Sequence, residues 1–275
     1  MSMAKINKAS LTKKGYVVLR SFLGKKYSSD LFKKISKDRG KKFYKTKKEF
    51  LKKSRFRRYS PDLKFNYLNN FDVKEVDRKL LKLIPGKIIS KKIIWNINKK
   101  YLPRWLRKYS KFMKSNINPY IKKQFQDETH FFNSFIHQDI IGNRKDNMIT
   151  CTIYLDKVGK NRAPLTMYEQ SHKLGVSNYE SRYIFAYKFD HRYLYYNNGN
   201  TMFTKKKVIT GNAGDLLVFD ARCLHSTDEN TSKSNRVALR YLIIPKMKLC
   251  KPVKKSAHFS FGFKGDHLQL MGKGL

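Results

Sequence analysis

The residues of this chain whose types and spacing suggest chemistry begin with His137 and Asp139, at the end of the strand-like run FFNSFIHQD. Residues i and i+2 of a β-strand point to the same face of the sheet. We therefore expect the imidazole and the carboxylate to project together into the interior of a barrel. They would supply two of the three ligands of the 2-His-1-carboxylate face, which binds ferrous iron and leaves coordination positions open.

A third ligand is needed, and His225 is the natural candidate. It follows the strand-like run GDLLVFD, residues 214–220, and so is predicted to lie at a strand edge or loop mouth. Neutral imidazoles and a carboxylate suit Fe(II), and the absence of a nearby thiolate disfavours a structural zinc site. Because an HxD pair often arises by chance, it indicates a metal site only when other residues of the chain fit the same site.

Arg236 is such a companion, eleven residues after His225 within the run SNRVALRYLII. If the chain turns through the polar residues 226–235, Arg236 enters the neighbouring strand and its guanidinium points into the same cavity. A planar guanidinium is suited to hold a carboxylate through two hydrogen bonds. The alternative is that Arg236 is one of many surface arginines in a basic protein. The presence of three candidate metal ligands favours the carboxylate-binding role instead.

The elements that must position these residues are short β-type runs separated by Gly, Asn and Asp, which begin at about residue 130. Several short strands at this spacing predict a sandwich or barrel. Upstream, residues 16–19 are predicted to form a strand. A helix follows, capped by a polar residue within 28–30, and residues 73–103 are predicted to be mainly helical.

Charge and composition bound the class of protein. The chain has 275 residues, 40% of them apolar and 14% aromatic, with 61 Lys+Arg against 20 Asp+Glu and a net charge of +41. Residues 1–100 carry 31 basic and 7 acidic residues, and residues 40–64 are rich in Lys and Arg. Such a field attracts phosphates, acidic polysaccharides or an anionic membrane surface. An A/T-rich genome would raise the lysine content equally well, so both explanations stay open.

The cysteine content, together with the lack of an apolar membrane span or secretory signal, favours a cytoplasmic protein. Three cysteines, Cys151, Cys223 and Cys250, form an odd set without metal-type spacing, as expected in a reducing compartment. No run of 18 apolar residues predicts a membrane span, and the first ten residues lack the apolar stretch of a secretory signal.

The sequence resembles the phytanoyl-CoA dioxygenase-like (PhyH) family of Fe(II)/2-oxoglutarate oxygenases over roughly residues 9–245. HQD at 137–139 matches the family's metal-binding pair, and the block 214–241 is similar to the one that carries the second histidine and the arginine. KKGYVVLRSFL, residues 13–23, resembles the first strand, and residues 149–175 resemble a strand followed by a loop. In that loop YEQSHK replaces the usual Pro-Gly before Ser-His, so its local shape is expected to differ.

The resemblance implies a fold and a set of residue roles. His137, Asp139 and His225 would bind iron, Arg236 would bind the far carboxylate of 2-oxoglutarate, and Thr227 would assist Arg236. The fold would be mainly β (α+β), with a double-stranded β-helix, or jelly roll, from about 125 to 248. A basic helical part, about 1–124, would brace this core, and residues 249–275 would form a tail of the same single domain, 1–275.

The implied activity is that of an Fe(II)- and 2-oxoglutarate-dependent dioxygenase. It would use O2 to hydroxylate an unactivated C–H bond of a small or carrier-linked substrate, with release of succinate and CO2. Because Asp139 is present, the chain differs from related halogenases, which lack this carboxylate. The basic surface favours an anionic substrate. The alternatives are an oxygenase acting on nucleic acid or protein, and a non-catalytic basic binding protein on the same scaffold.

Overall fold

The computed structural model describes residues 6–40, 67–98, 104, 129–130, 134–140, 147–177, 186–189, 192–197 and 200–252. The Lys/Arg-rich stretch at 40–64, apart from its first residue, and the tail from 253 onward lie outside the described residues. Within the described ranges, no helix combines the length and the apolar content needed to cross a bilayer.

Three α-helices, two short 3-10 helices and thirteen strands are described. The helices are α1 (Lys8–Lys14), α2 (Lys25–Gly40) and α3 (Lys74–Leu83), with 3-10 turns at Tyr67–Asn70 and Ser171–Leu174. The strands are β1 (Tyr16–Leu19), β2 (Gly86–Asn96), β3 (Thr129–His130), β4 (Ser134–His137), β5 (Ile149–Tyr154), β6 (Leu165–Tyr168), β7 (Ala186–Phe189), β8 (Arg192–Asn197), β9 (Asn200–Thr204), β10 (Lys206–Ile209), β11 (Leu216–Asp220), β12 (His225–Thr227) and β13 (Arg236–Pro245).

The strands form two principal sheets, with strand orders β1-β11-β5-β13-β2-β3 and β10-β6-β12-β4. A separate three-stranded sheet has the order β7-β8-β9. The paired strands are antiparallel except for β2 and β3, which run parallel. Buried side chains of β6 and β10 pack against Leu217 and Phe219 of β11, which joins the two principal sheets through an apolar layer. The prediction of a mainly β, jelly-roll-type fold is confirmed.

The two faces of the larger sheet have different neighbours. Val237, Leu239 and Tyr241 of β13 are fully buried and belong to the main apolar cluster, which also contains Leu11 of α1 and Leu80 of α3. The helices therefore cover this outer face, as predicted. Because side chains alternate along a strand, Arg236, Ala238 and Arg240 of β13 point to the opposite, inner face.

Gly15 ends helix α1 and turns the chain into β1. Its φ of 91° lies in the left-handed region, and its N–H donates to the carbonyl of Leu11 at 2.9 Å. A Cβ atom at this position would come within 2.6 Å of Nδ1 of His172. Glycine thus lets the turn close against the 3-10 turn at Ser171–Leu174 without a steric clash.

Two predictions about the N-terminal part are wrong. Within the described residues 73–98, the expected helix is limited to α3, because residues 86–96 form strand β2, which pairs with β13 along the whole length of β13. The isoleucine-rich run of β2 buries Ile93 and Trp95 against the main apolar cluster, and this packing outweighs local propensity. Helix α2 begins at Lys25, so residues 28–30 lie inside it and are not its N-cap.

The centre of the larger sheet should dominate the stability of the fold. We expect Leu239→Ala to lower the free energy of unfolding by about 2–5 kcal/mol, because it removes fully buried methyl groups and leaves a cavity. Ile89→Ala is the control, since 43% of Ile89 is exposed on β2, and it should cost no more than about 0.5 kcal/mol. Urea unfolding measures both, and equal losses would contradict this account of the core.

His172 should make stability depend on pH. Burial lowers the pKa of His172 below its ordinary value of 6.5, and a ring nitrogen contacts the carbonyl of Thr12 at 3.0 Å. The folded state therefore takes up this proton less readily than the unfolded chain. The stabilising contribution is fully present above the ordinary pKa and is lost as the pH falls below it. Between about pH 7.5 and about pH 5, His172→Gln should lose less stability in urea unfolding than the unsubstituted protein; equal losses would contradict the assignment.

Candidate metal centre

Strand pairing brings the two candidate histidine ligands together. His137 is the last residue of β4 and His225 is the first residue of β12, and the two are direct partners in this antiparallel pair. Directly paired residues point to the same face. Their ring centroids are accordingly only 4.2 Å apart, although the residues are far apart in sequence.

Asp139 completes a cluster of three metal-binding groups. Its Oδ1 lies 3.6 Å from Nε2 of His225 and 4.0 Å from Nε2 of His137. One donor atom from each of the three residues lies within 4.8 Å of the others. Donor atoms that bind one metal ion at about 2.0–2.2 Å lie roughly 3 Å from one another. A small decrease in the distances between these three donors would therefore allow them to bind one metal ion. The side chains of Asp139 and His225 are almost completely buried, whereas 26% of the His137 side chain is exposed.

Gln138, between two of these residues, fastens the ligand segment to the rest of the protein. Its Nε2 donates to the carbonyls of Arg222 at 2.6 Å and Gly175 at 2.9 Å, and its Oε1 accepts the N–H of Ser177 at 2.7 Å. The N–H of Asp139 also donates to the carbonyl of Ala221 at 2.9 Å. The HQD segment is therefore tied to the loop 221–224, which leads directly into His225.

A buried ion pair holds that loop in turn. The guanidinium of Arg222 donates to both carboxylate oxygens of Asp220, at 2.9 and 2.6 Å, and both side chains are almost fully buried. Arg222 also donates to the carbonyl of Cys250 at 2.8 Å. Two-point hydrogen bonding fixes direction as well as distance, so the loop between β11 and β12 has a defined shape.

The environment of His225 prepares it to bind a metal. Its Nδ1 lies 3.1 Å from the carbonyl oxygen of Cys223, which can only accept a hydrogen bond. The proton therefore resides on Nδ1, and the lone pair of Nε2 points toward Asp139. Burial, reinforced by the neighbouring His137, lowers the pKa of His225 to about 3. The imidazole is thus neutral near pH 7, as a metal ligand must be.

Asp139 is held in its ionised form by its neighbours. Burial raises the pKa of Asp139, but the cationic Arg240 and the two histidines, together with Thr150, outweigh it and hold that pKa well below its ordinary value. The hydroxyl of Thr150 donates to Oδ2 at 2.5 Å, and Nη2 of Arg240 donates to Oδ1. A buried carboxylate with these partners supplies the negative charge that suits a divalent cation.

Arg240 is not among the site residues predicted from the sequence. The available signal was its position four residues after Arg236 in a predicted strand, which places both side chains on one face. Its contact with Asp139 could not be foreseen, because it depends on how β13 packs against the distant HQD segment.

Arg236 lies at the start of β13 on the same inner face as Arg240. Its side chain is almost fully buried, with Nη1 donating to the carbonyl of Ala163 and the guanidinium 5.4 Å from the ring of Tyr154. Among the residues that the structure describes, none accepts a hydrogen bond from its Nε. A buried donor without an acceptor is costly, so the position suits a ligand that brings an acceptor.

Thr227 lies two residues after His225 on β12 and is half-buried. Its backbone N–H donates to Oγ of Ser134 at 2.7 Å, which aligns β12 with β4. The predicted assistance of its hydroxyl to Arg236 stays a prediction.

Comparisons with known proteins agree with this geometry. The phytanoyl-CoA dioxygenase (PhyH) family matches residues 11–238. Comparison of the sequence with curated proteins gives no match. Among solved structures, the non-heme alpha ketoglutarate dependent epimerase SnoN from nogalamycin biosynthesis is similar with a TM-score of 0.52 and 12% identity, covering 89% of this chain and 84% of SnoN.

Two further structures are similar to the same extent. SnoN in complex with Fe3+, alpha ketoglutarate and nogalamycin RO has a TM-score of 0.50 and 12% identity, with 89% of this chain and 84% of SnoN covered. HygX from Streptomyces hygroscopicus, with nickel and 2-oxoglutarate bound, has a TM-score of 0.50 and 9% identity, with 90% and 88% covered. At such identities the likeness shows a shared fold. The family match covers well over half of the sequence, and the chain therefore belongs to the phytanoyl-CoA dioxygenase family.

Proposed function

We propose that this protein is an Fe(II)- and 2-oxoglutarate-dependent oxygenase in which His137, Asp139 and His225 bind the iron. The observation that carries the proposal is the convergence of two imidazoles and one ionised carboxylate within 4.8 Å. Membership of the phytanoyl-CoA dioxygenase family supports both cofactors. A face of two histidines and one carboxylate leaves positions open on iron for a chelating co-substrate and O2.

Arg236 is the proposed anchor for the far carboxylate of 2-oxoglutarate. Its guanidinium is buried, and its Nε meets no acceptor in the described part of the chain. A carboxylate can accept from two N–H groups of one guanidinium, which would satisfy Nε and neutralise the buried charge. Thr227 is proposed to add a hydroxyl donor to the same carboxylate.

The chain's own residues prepare the site for this chemistry. When bound, iron and 2-oxoglutarate supply O2-dependent oxidation of an unactivated C–H bond, with release of succinate and CO2. The carbonyl of Cys223 keeps Nε2 of His225 available as a donor. The ring of Phe219 lies 4.8 Å from the imidazole of His225 and limits the access of water on that side.

Hydroxylation of a small or carrier-linked substrate is the proposed reaction. Asp139 fills the position whose vacancy would admit a halide, so oxidation is favoured over halogenation. SnoN is a non-heme alpha ketoglutarate dependent epimerase, so a protein of similar fold catalyses a reaction other than hydroxylation. An oxygenase acting on nucleic acid or protein would use the same residues, and an assay with such substrates would distinguish it.

Anaerobic titration with Fe(II) and 2-oxoglutarate tests the proposal. We expect a visible charge-transfer band from the chelate, and His225→Ala should abolish it by removing a ligand. Arg236→Gln should weaken the binding of 2-oxoglutarate by roughly tenfold or more, because a charge-assisted pair is lost. Arg78→Gln, an exposed arginine on α3, is the matched control and should leave the titration unchanged.

The outcomes of this titration separate the alternatives. A folded protein that gives no band, and that gains no thermal stability from Fe(II) and 2-oxoglutarate, would contradict the oxygenase proposal. A non-catalytic basic binding protein on this scaffold would then be the better explanation.

Gln138 should be needed to hold the metal ligands in register. We expect Gln138→Ala to lower the free energy of unfolding by about 1–3 kcal/mol, because it removes a partner from two buried carbonyls and one buried N–H. Of these groups, the carbonyl of Gly175 keeps a longer hydrogen bond from Asn197, at 3.4 Å. The substitution should also weaken Fe(II) binding, since the contacts of Gln138 fix the loop that leads to His225. Gln170→Ala is the control, because that half-buried side chain accepts from the flexible Lys173 at 2.8 Å and does not contact the HQD segment through any hydrogen bond among the described residues. Unchanged unfolding and metal titrations for Gln138→Ala would contradict this role.

A further inference from the structure

Arg236 is held from outside its own strand by the β5–β6 connection, residues 155–164. Its Nη1 donates to the carbonyl of Ala163 in that connection. In return, Nη2 of Arg162 donates at 2.7 Å to the carbonyl of Asn235, the residue directly before Arg236. Each arginine therefore donates to a carbonyl next to the other one, and these two hydrogen bonds join the connection to the start of β13.

Arg162 is fixed in place by two further hydrogen bonds. Its Nη2 donates to Oδ2 of Asp156 at 2.6 Å, and its Nη1 donates to the carbonyl of Lys157 at 2.8 Å. Only 11% of the Arg162 side chain is exposed. A planar guanidinium with several partners of this kind fixes direction as well as distance. Arg162 thus fixes the β5–β6 connection relative to β13.

Ala163, the acceptor for Arg236, has an unusual backbone conformation. It is fully buried, and its φ of 48° lies in the left-handed region, which is disfavoured for a residue with a Cβ atom. Such a conformation persists only where the surrounding contacts hold it, and it is common at functional sites. Here those contacts include the hydrogen bonds of Arg162 and one at 2.9 Å from the N–H of Thr231 to the carbonyl of Asn161. The direction of the Ala163 carbonyl therefore depends on this part of the connection.

The hydrogen bond to Ala163 determines which edge of the Arg236 guanidinium a ligand can use. Nε and Nη2 form an edge that binds a carboxylate through two parallel hydrogen bonds, and Nη1 lies outside that edge. No residue in the described ranges accepts from Nε. Because Nη1 is held by the Ala163 carbonyl, rotation of the guanidinium is restricted and the edge with Nε is kept for a carboxylate.

The charges around Arg236 favour an anionic ligand. Burial lowers the pKa of Arg236; Tyr154 opposes this effect, and the positive charge of Arg162 lowers the pKa further. Arg162 itself forms an ion pair with Asp156 at 2.6 Å. Of the described groups that affect the pKa of Arg236, none is a carboxylate. A carboxylate bound at Arg236 would supply this buried cation with a counter-charge.

We propose that Arg162 is a positioning residue for Arg236 and, through it, a determinant of the preference for a 2-oxo acid that carries a second carboxylate. The inference rests on the proposed oxygenase function. Arg162 acts on the co-substrate indirectly, because it fixes the residue before Arg236 and the segment whose carbonyl orients the guanidinium. A guanidinium that is free to rotate binds a carboxylate with a greater loss of conformational entropy.

Two 2-oxo acids test the inference in anaerobic titrations of the Fe(II)-loaded protein, with the charge-transfer band of each chelate as the readout. 2-Oxopentanoate has the chelating group and chain length of 2-oxoglutarate, with a methyl group in place of the far carboxylate. We expect Arg162→Gln to weaken binding of 2-oxoglutarate by roughly fivefold or more and binding of 2-oxopentanoate by less than about twofold. Fe(II) affinity should stay unchanged, because the three hydrogen bonds of Arg162 do not reach a metal ligand.

A double variant shows whether Arg162 acts through Arg236. Adding Arg162→Gln to Arg236→Gln should lower 2-oxoglutarate affinity by less than about a further twofold, because effects of coupled residues are not additive. Arg162→Lys should keep most of the loss, since an ammonium lacks the planar fork. Lys91→Gln is the matched control. It removes an ion pair of 2.7 Å with Asp77 on the outer face of the larger sheet, where Lys91 is paired with Tyr241, and it should leave both titrations unchanged.

The results that would overturn the inference differ from those that would overturn the oxygenase function. No charge-transfer band in the unsubstituted protein contradicts the function itself. A normal band contradicts the inference alone if Arg162→Gln leaves 2-oxoglutarate affinity unchanged, weakens both acids equally, or adds its full loss to that of Arg236→Gln. If 2-oxopentanoate gives no band with the unsubstituted protein, an equal loss of Fe(II) affinity is the contradicting result. If Arg162→Gln does not fold, Asp156→Asn decides, because it removes the ion pair and should weaken 2-oxoglutarate binding selectively.

Discussion

The metal centre depends on the hydrogen bonds that join the HQD segment to the loop between β11 and β12. One side chain, Gln138, satisfies two carbonyls and one N–H at this junction, and the N–H of Asp139 adds a backbone hydrogen bond. His137 and Asp139 lie on the HQD segment, and His225 directly follows the loop. The buried pair of Asp220 and Arg222 makes the loop rigid. Once these contacts form, three donors converge without the help of a metal.

The electrostatics of the site follow from this convergence. Bringing the Asp139 carboxylate and the His225 imidazole out of water favours the neutral imidazole, and it would favour a protonated carboxyl too. Arg240 and Thr150 prevent the latter by interacting with Asp139, whereas His225 becomes harder to protonate. The result is a site in the ionisation state that a divalent cation requires at neutral pH.

Positive charge is distributed along the inner face of β13 in two places that differ in burial. Arg236 is enclosed, and no described residue accepts from its Nε, whereas the Arg240 side chain is 27% exposed and donates to Asp139. The free energy of binding an anion differs between a desolvated arginine and a partly solvated one, because the partly solvated arginine must first lose its bound water. This difference supports separate roles for the two arginines: Arg236 is the proposed anchor of the co-substrate, and Arg240 interacts with the metal-binding carboxylate of Asp139.

The sequence by itself determined the features that depend on short spacing. The i, i+2 relation of His137 and Asp139, the candidacy of His225 and Arg236, and the alternation that makes β13 a strand could all be predicted, because each reflects a local periodicity. The mainly β character followed in the same way. The resemblance to a family added the order of the motifs along the chain.

Only the tertiary structure decided what depends on pairing between distant segments. Residues 86–96 were predicted to be helical, and they form a strand because β13 offers a partner edge whose apolar side chains bury Ile93 and Trp95. The same pairing sets Lys92 opposite Arg240, and the packing of β13 against the HQD segment puts Arg240 on Asp139. A one-residue change of register would turn these side chains to the other face, and no local pattern fixes that register.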